Sequence, residues 1–175
     1  MILILISILV GSVALDQLTK WLAVVYLQGE PSFPIWREVL HLTFVKNEGA
    51  AFGMLADHRW VFMTFSTVAI IGLSIYLFGF CKENKLVKIC FAMIIGGGIG
   101  NMIDRVALGY VVDFIDFTLI NFAVFNVADS FVTVGACILL VYYLRETFLE
   151  IRASKKGSAK AGEQEAERME DTDAT

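Results

Sequence analysis

The sequence has little charge and few of the residues that mark disulfide-bonded or metal-binding proteins. Of its 175 residues, 57% are hydrophobic and only 18% are charged, whereas soluble domains carry roughly 25% charged residues. Its three cysteines, Cys81, Cys90 and Cys137, form no CxxC pair, which disfavours a disulfide framework. The histidines, His41 and His58, lie far apart, which disfavours a zinc site. With a net charge of −4 and no basic patch, nucleic acid is not expected as a partner.

The charges that exist are unevenly distributed along the chain. Fourteen of the 32 charged residues lie in the last 31 positions, which leaves long uncharged stretches elsewhere. A membrane-spanning helix needs about 20 mostly apolar residues. The sequence predicts four such helices, at residues 1–26, 60–81, 89–103 and 125–144. The fold class is therefore an all-α membrane protein, a four-transmembrane-helix bundle.

The positions of lysine and arginine predict its orientation. The short connection 81–88 holds three and the segment from Arg145 onward holds six, whereas 27–59 holds three and 104–124 holds one. Because cytoplasmic connections carry the excess of positive charge, both termini are expected in the cytoplasm. Residues 1–15 do not read as a signal peptide, since no Lys or Arg precedes the apolar run. We expect a membrane domain over 1–150 and a polar, disordered cytoplasmic tail over 151–175.

Two connections show strand patterns. In 39–47, apolar Leu40, Leu42 and Phe44 alternate with polar residues. Residues 110–117 also predict a strand, with Val111, Asp113, Ile115 and Phe117 on one face. These segments predict a small extracytoplasmic β-sheet at the membrane surface. Residues 49–58 are expected to form a short interfacial helix.

Polar and ionisable residues within or beside the spans mark a functional site, because an ionisable side chain costs roughly 2.5–3.5 kcal/mol at mid-membrane. All of them are predicted to lie towards the outer leaflet. They are Asp16, Asn47, Asn101, Asp104, Arg105, Asp113, Asn126 and Asp129.

Several of these residues also fit purely structural roles. Asp16 and Lys20 are spaced for an ion pair on one helix. Asn126 and Asp129 are spaced as the N-cap and third residue of a helix. Residues 96–100, GGGIG, indicate close helix packing in lipid.

The chemistry that this set favours is proton sharing between two acids. Two carboxylates in a low-dielectric site cannot both ionise easily, so one polarises a carbonyl group and the other activates water. Asp113 and Asp129 are the natural pair, and Asp104 is a weaker candidate because Arg105 adjoins it. The neighbouring polar side chains are candidates for binding substrate carbonyl groups or stabilising the intermediate: Asn47, Asn101, Asn126 and Arg105. No metal or other cofactor is needed.

Two other functions would use some of the same residues. A serine–lysine peptidase would use Ser130 or Ser12 with Lys20, but Asp16 favours the charged form of that lysine. A small transporter would relay protons through intramembrane acids. It would need carriers in the inner half, and residues 60–81 offer none.

Five motifs in order resemble those of the bacterial lipoprotein signal peptidases (signal peptidase II). They are DQLTK (16–20), NEGAAFG (47–53), GGGIGNMIDR (96–105), VVDF (111–114) and FNVADS (125–130). The resemblance implies an intramembrane aspartic endopeptidase of the bacterial inner membrane, with its site near the outer leaflet. It would cleave diacylglyceryl-modified prolipoproteins on the amino side of the lipidated cysteine.

The resemblance also assigns roles to residues. Asp113 and Asp129 match the catalytic dyad of the family. The residues that match its substrate-binding or supporting positions, or fall within the same motifs, are Asp16, Lys20, Asn47, Gly49, Asn101, Asp104, Arg105, Asn126 and Ala128. The implied partners are the lipidated precursor, membrane lipids and globomycin-type cyclic peptide inhibitors, and the protein is expected to act as a monomer.

Overall fold

The computed structural model of the chain describes residues 1–49 and 59–173. Its helices are α1 (Ile2–Leu27), α2 (Arg59–Ile75), α3 (Lys85–Ala107) and α4 (Val127–Asp173), and its strands are β1 (Phe33–Trp36), β2 (Leu40–Asn47) and β3 (Val111–Asp116). A π-helical turn, Tyr76–Phe80, extends α2, and a 3₁₀ turn, Thr118–Ile120, follows β3. The predicted interfacial helix at 49–58 lies, apart from residue 49, outside the described residues.

The four predicted membrane spans are confirmed as helices. The stretches long and apolar enough to cross a membrane are Ile2–Leu27, Met63–Phe80, Lys85–Ala107 and Val127–Lys155. Many of their large apolar side chains are exposed, including Leu3, Phe65 and Val68. In lipid such side chains need no protein partner. The chain is therefore a multi-pass membrane protein.

Glycines allow α3 to approach its neighbours closely, as the GGGIG sequence predicts. A Cβ atom at Gly96 would meet the Ser12 hydroxyl of α1, and one at Gly97 would meet the carbonyl oxygen of Ala128 in α4. At Gly100 it would lie 2.5 Å from Asp16 Oδ2. Helix α3 thus packs between α1 and the first turn of α4, and these contacts need glycine.

The predicted sheet is present and has one strand more than expected. Its order is β1–β2–β3 with both pairs antiparallel, and Val45 pairs with Asp113. Strand β1 was not predicted. It is exposed throughout and contains Pro34, a residue that weakens a strand pattern but is tolerated at a sheet edge.

One face of the sheet packs onto the carboxyl-terminal half of α1. Val112 and Phe114 of β3 form a buried cluster with Ala23 of α1, and Leu42 and Phe44 of β2 pack against it. Helix α3 leads almost directly into β3, because Gly109 adopts a φ of +86° after the end of the helix. The sheet is therefore fixed next to the ends of α1 and α3.

The chain forms two compact units, Met1–Ala136 and Cys137–Thr175. The domain boundary expected at residue 150 stays a prediction. Helix α4 continues to Asp173, whereas disorder was predicted after residue 150. The many Ala, Lys, Glu and Arg residues of this segment favour a helical backbone.

Replacing Gly97 by alanine should destabilise the protein. The new methyl group would meet the Ala128 carbonyl oxygen and lie 2.8 Å from Val132 Cγ2, and such overpacking costs about 1–3 kcal/mol. Thermal unfolding of the purified protein in detergent measures the effect. Gly72→Ala is the matched control, because a Cβ atom there has nothing within 4 Å. Equal melting temperatures for the two variants would contradict this packing.

Candidate active site

Asp113 lies on β3 and is 1% exposed. Each of its carboxylate oxygens accepts a hydrogen bond from an asparagine. Asn47 Nδ2 donates to Oδ2 at 2.8 Å, and Asn126 Nδ2 donates to Oδ1 at 2.6 Å. A buried carboxylate needs hydrogen-bond partners, and two asparagines supply them here.

Asp129 lies in the first turn of α4, where the predicted capping arrangement is confirmed. The backbone N–H of Asn126 donates to Asp129 Oδ2 at 3.2 Å, and the N–H of Asp129 donates to Asn126 Oδ1 at 2.9 Å. A negative charge at this position is stabilised by the helix dipole. Asp129 Oδ1 also accepts a hydrogen bond from Asn101 Nδ2 of α3 at 2.7 Å.

The two acids line a single cavity of about 850 Å³. Asn126 connects them, because its side chain donates to Asp113 and accepts from the backbone of Asp129. Asn47, Gly49, Asn101 and Arg105 line the same cavity, together with an apolar wall formed by Val111, Phe122, Ala123, Val124, Phe125 and Val134. Asp113 and Asp129, the pair predicted from the sequence, therefore lie in the same cavity.

Burial raises the pKa of Asp113 from 3.8 to about 6. The hydrogen bonds from Asn47 and Asn126 favour the ionised form and oppose this rise, whereas the nearby carboxylate of Asp129 adds to it. Asp113 therefore keeps a proton at a pH at which an exposed carboxylate has lost it.

A buried charge cluster lies behind the cavity. Lys20 Nζ is 2.9 Å from Asp16 Oδ2 and 3.1 Å from Asp104 Oδ2, and the three side chains are at most 4% exposed. The ion pair predicted between Asp16 and Lys20 is thus confirmed. Asp16 Oδ1 also accepts the Ala128 N–H of α4 at 2.9 Å, and Asp104 Oδ2 accepts the Val112 N–H of β3 at 3.0 Å. The cluster joins α1 and α3 to the two elements that carry the cavity acids.

Gln17 belongs to this cluster and was not among the predicted site residues. Its Nε2 lies 2.9 Å from Asp104 Oδ1, 3.1 Å from the Gly100 carbonyl oxygen and 3.2 Å from Asp16 Oδ2. Its place in the DQLTK motif, directly after Asp16, is the feature of the sequence that could have identified Gln17 as a site residue.

Arg105 and Gly49 form one side of the cavity. Arg105 Nη2 donates to the Gly49 carbonyl oxygen and Nη1 to that of Asn101, both at 3.4 Å. The N–H of Gly49 donates to Asn47 Oδ1 at 3.1 Å. By contrast, Ala128 is 0% exposed and packs against Gly100, so its place is in the packing beneath the site.

The serine–lysine alternative gains no support from these contacts. Lys20 is bonded to Asp16, Asp104 and Asn101. The hydroxyl groups of Ser12 and Ser130 donate to the carbonyl oxygens of Leu9 and Asn126. Among the described residues, no group of three or more His, Cys, Asp or Glu side chains is arranged to hold a metal ion.

Comparisons with known proteins point to one family. A family profile described as Signal peptidase (SPase) II matches residues 8–145. A lipoprotein signal peptidase of Caldanaerobacter subterraneus is 54% identical over 127 residues, covering 73% of this chain and 86% of the relative. One of Brevibacillus brevis is 46% identical over 129 residues, covering 74% and 87%.

Solved structures are similar as well. A bacterial membrane enzyme determined by the in meso method at 2.3 Å resolution has a TM-score of 0.74 and 31% identity, covering 82% of this chain and 88% of that one. A second, at 1.9 Å resolution, has a TM-score of 0.72 and 32% identity, covering 80% and 92%.

Fold and site together define a multi-pass membrane protein with two acids in one cavity, and the comparisons make it a membrane protease. The chain belongs to the lipoprotein signal peptidase (signal peptidase II) family, whose members cleave signal peptides from prolipoproteins.

The raised pKa of Asp113 predicts how stability changes with pH. A carboxyl group whose pKa is higher in the folded state stabilises that state while protonated, and this contribution is lost as the pH rises through about 6. A rise of this size corresponds to a free energy on the order of 3 kcal/mol. The melting temperature should fall between about pH 4 and about pH 7, and Asp113→Asn should reduce that fall. The same fall in both proteins would contradict the assignment.

Proposed function

We propose that the protein is an intramembrane aspartic endopeptidase whose catalytic residues are Asp113 and Asp129. The observation that carries the proposal is their joint placement: both line one cavity, and Asn126 is bonded to both. Two acids in different environments, one buried and one at a helix start, suit opposite roles in acid–base catalysis.

The environments assign those roles. Asp113 holds the shared proton and donates it towards the carbonyl oxygen of the scissile peptide bond. Asp129 accepts a proton from a water molecule, whose oxygen attacks the carbonyl carbon. The tetrahedral intermediate then collapses: Asp129 passes the proton taken from water to the nitrogen, the C–N bond breaks, and a hydroxyl group of the intermediate returns a proton to Asp113. The products are a new carboxyl group and a new amino group.

Arg105 is suited to hold the substrate in this reaction. Its two hydrogen bonds in the protein are long, 3.4 Å each, and a guanidinium group has five N–H donors. We propose that the remaining donors bind substrate carbonyl oxygens along the cavity. Asn47 and Asn101 support the dyad from either side by their hydrogen bonds to Asp113 and Asp129.

The proposed substrate is a prolipoprotein whose cysteine already carries diacylglycerol, cleaved on the amino side of that cysteine. The apolar cavity wall, with Phe122, Val124 and Phe125, suits the apolar end of a signal peptide. The acyl chains stay in the bilayer and restrict the depth of the scissile bond, which supplies much of the positioning that catalysis needs.

The proposed setting is the bacterial inner membrane, with both termini in the cytoplasm and the site near the outer leaflet. This follows from the excess of lysine and arginine in 81–88 and after residue 144. The protein is proposed to act as a monomer, because one chain supplies every side chain named in the dyad and around it. A globomycin-type cyclic peptide would inhibit it by occupying the same cavity.

Replacing either acid should abolish proteolysis. Asp113→Asn and Asp129→Asn each remove a group that must exchange a proton, so activity should fall by at least about 10²–10⁴-fold. The assay follows the shortening of a purified diacylglyceryl-modified precursor. Asp116→Asn is the matched control, because it lies on the same strand and should have a mild effect. Full activity of Asp129→Asn would refute the dyad, and an equal loss at Asp116 would show that the wrong acid was chosen.

Chelators should leave activity unchanged, since the two carboxylates activate water without a metal. The test is incubation with EDTA and with 1,10-phenanthroline before the same assay. Loss of activity that a single metal ion restores would overturn the aspartic mechanism.

A further inference from the structure

Lys20 makes a third contact besides those with its two carboxylates. Its Nζ donates to Asn101 Oδ1 at 2.8 Å, in addition to Asp16 and Asp104. An ammonium group has three N–H donors, so each of them has an acceptor. Because Lys20 is 3% exposed, this arrangement is held inside the protein.

The contact determines which end of the Asn101 amide faces Asp129. An ammonium group only donates hydrogen bonds, so the amide atom next to it must be the oxygen. The amide nitrogen then points the other way, towards Asp129 Oδ1 at 2.7 Å. Asn126 Nδ2 supports the same orientation by donating to Asn101 Oδ1 at 3.0 Å.

The ammonium group should also strengthen the donor that it orients. A positive charge at the amide oxygen polarises the group, so that its N–H becomes a better donor at the far end. That N–H is bonded to Asp129, and a donor to a carboxylate favours the ionised form. The lysine thus acts on the catalytic base without touching it.

We infer that Lys20 is a positioning residue, which orients and polarises the Asn101 amide and thereby keeps Asp129 ready to accept a proton. The inference deepens the proposed function and rests on it, since Asp129 is the proposed base. Other charged groups also face this site. Asp113 approaches from β3 and Arg105 from α3, and Lys46 and Glu48 line the cavity. The test must therefore separate the effect of Lys20 that passes through the Asn101 amide from the direct electrostatic effect of its charge on Asp129.

A double-mutant cycle on the full-length protein makes that separation. The proteins are wild type, Lys20→Met, Asn101→Ala and the double variant, assayed on one lipidated precursor across pH. Lys20→Met should lower kcat by about tenfold or more with little change in KM, as expected for loss of a hydrogen bond to a charged group. The acidic limb of kcat/KM, which reports the free enzyme, should move to higher pH. Asn101→Ala should likewise lower kcat and move the acidic limb of kcat/KM to higher pH.

The double variant shows whether Lys20 acts on Asp129 through Asn101 or directly by its charge. If Lys20 acts through Asn101, the double variant should show no further movement of the acidic limb beyond that of Asn101→Ala. Movements that add would show a direct effect of the lysine charge and would overturn the inference. So would a Lys20→Met enzyme whose acidic limb stays in place, because a merely structural role lowers the amount of folded protein without changing a pH limb.

Lys20→Met leaves two buried carboxylates without their cation and risks unfolding. A second comparison, wild type against Asp104→Asn/Lys20→Met with Asp104→Asn as the control, avoids this. The cluster carries two acids and one lysine, so removing one acid and the lysine together preserves its net charge. The double variant should again show the acidic limb at higher pH, and an unchanged limb would overturn the inference. Asp129→Asn in the same assay tests the dyad itself: its activity decides the proposed function independently of the cycle.

Discussion

A charge can be kept between membrane helices only if the protein itself supplies every partner that water would supply. In this protein the constraint centres on the Lys20 ammonium group, which has Asp16, Asp104 and Asn101 as its three acceptors. Each acceptor is in turn bonded to another element, so the cluster cannot be loosened at one point alone. Removing one partner would leave the other charges buried and uncompensated, at a cost of several kcal/mol. The cluster therefore fixes α1, α3, β3 and the start of α4 relative to one another.

The two cavity acids lie in different environments, because different secondary-structure elements carry them. Asp113 belongs to a strand whose side chains are buried, and burial keeps its pKa near 6. Asp129 lies in the first turn of a helix, where a backbone N–H and the helix dipole favour a negative charge. A strand and a helix start thus supply the asymmetry that acid–base chemistry requires, without any difference between the side chains themselves.

The sequence alone predicts the features that depend on local patterns. The spans follow from the absence of charge, strands β2 and β3 from alternation, and the Asn126–Asp129 cap from spacing. Strand β1 was not predicted, because Pro34 interrupts its pattern and all of its residues are exposed. The partners of Asp113 could not be read from sequence, because the β2–β3 register and the start of α4 bring Asn47 and Asn126 to it from 66 and 13 residues away. Gln17 was missed for the same reason, since its acceptors in α3 lie more than 80 residues away.

Helix packing and the chemistry of the site are physically linked. Gly97 lies directly beneath the Ala128 carbonyl group, and Gly100 lies beside both Asp16 and the Ala128 methyl group. The separation of α3 from α4 is therefore set at the residue that precedes Asp129. Asp113 is held by strand pairing with β2, and the hydrogen bond from Asn126 links it to the start of α4 as well. A larger residue at either glycine would push the start of α4, and with it Asp129, away from α3, while the pairing with β2 still holds Asp113. Small residues in these spans thus determine the distance between the two carboxylates as well as the stability of the bundle.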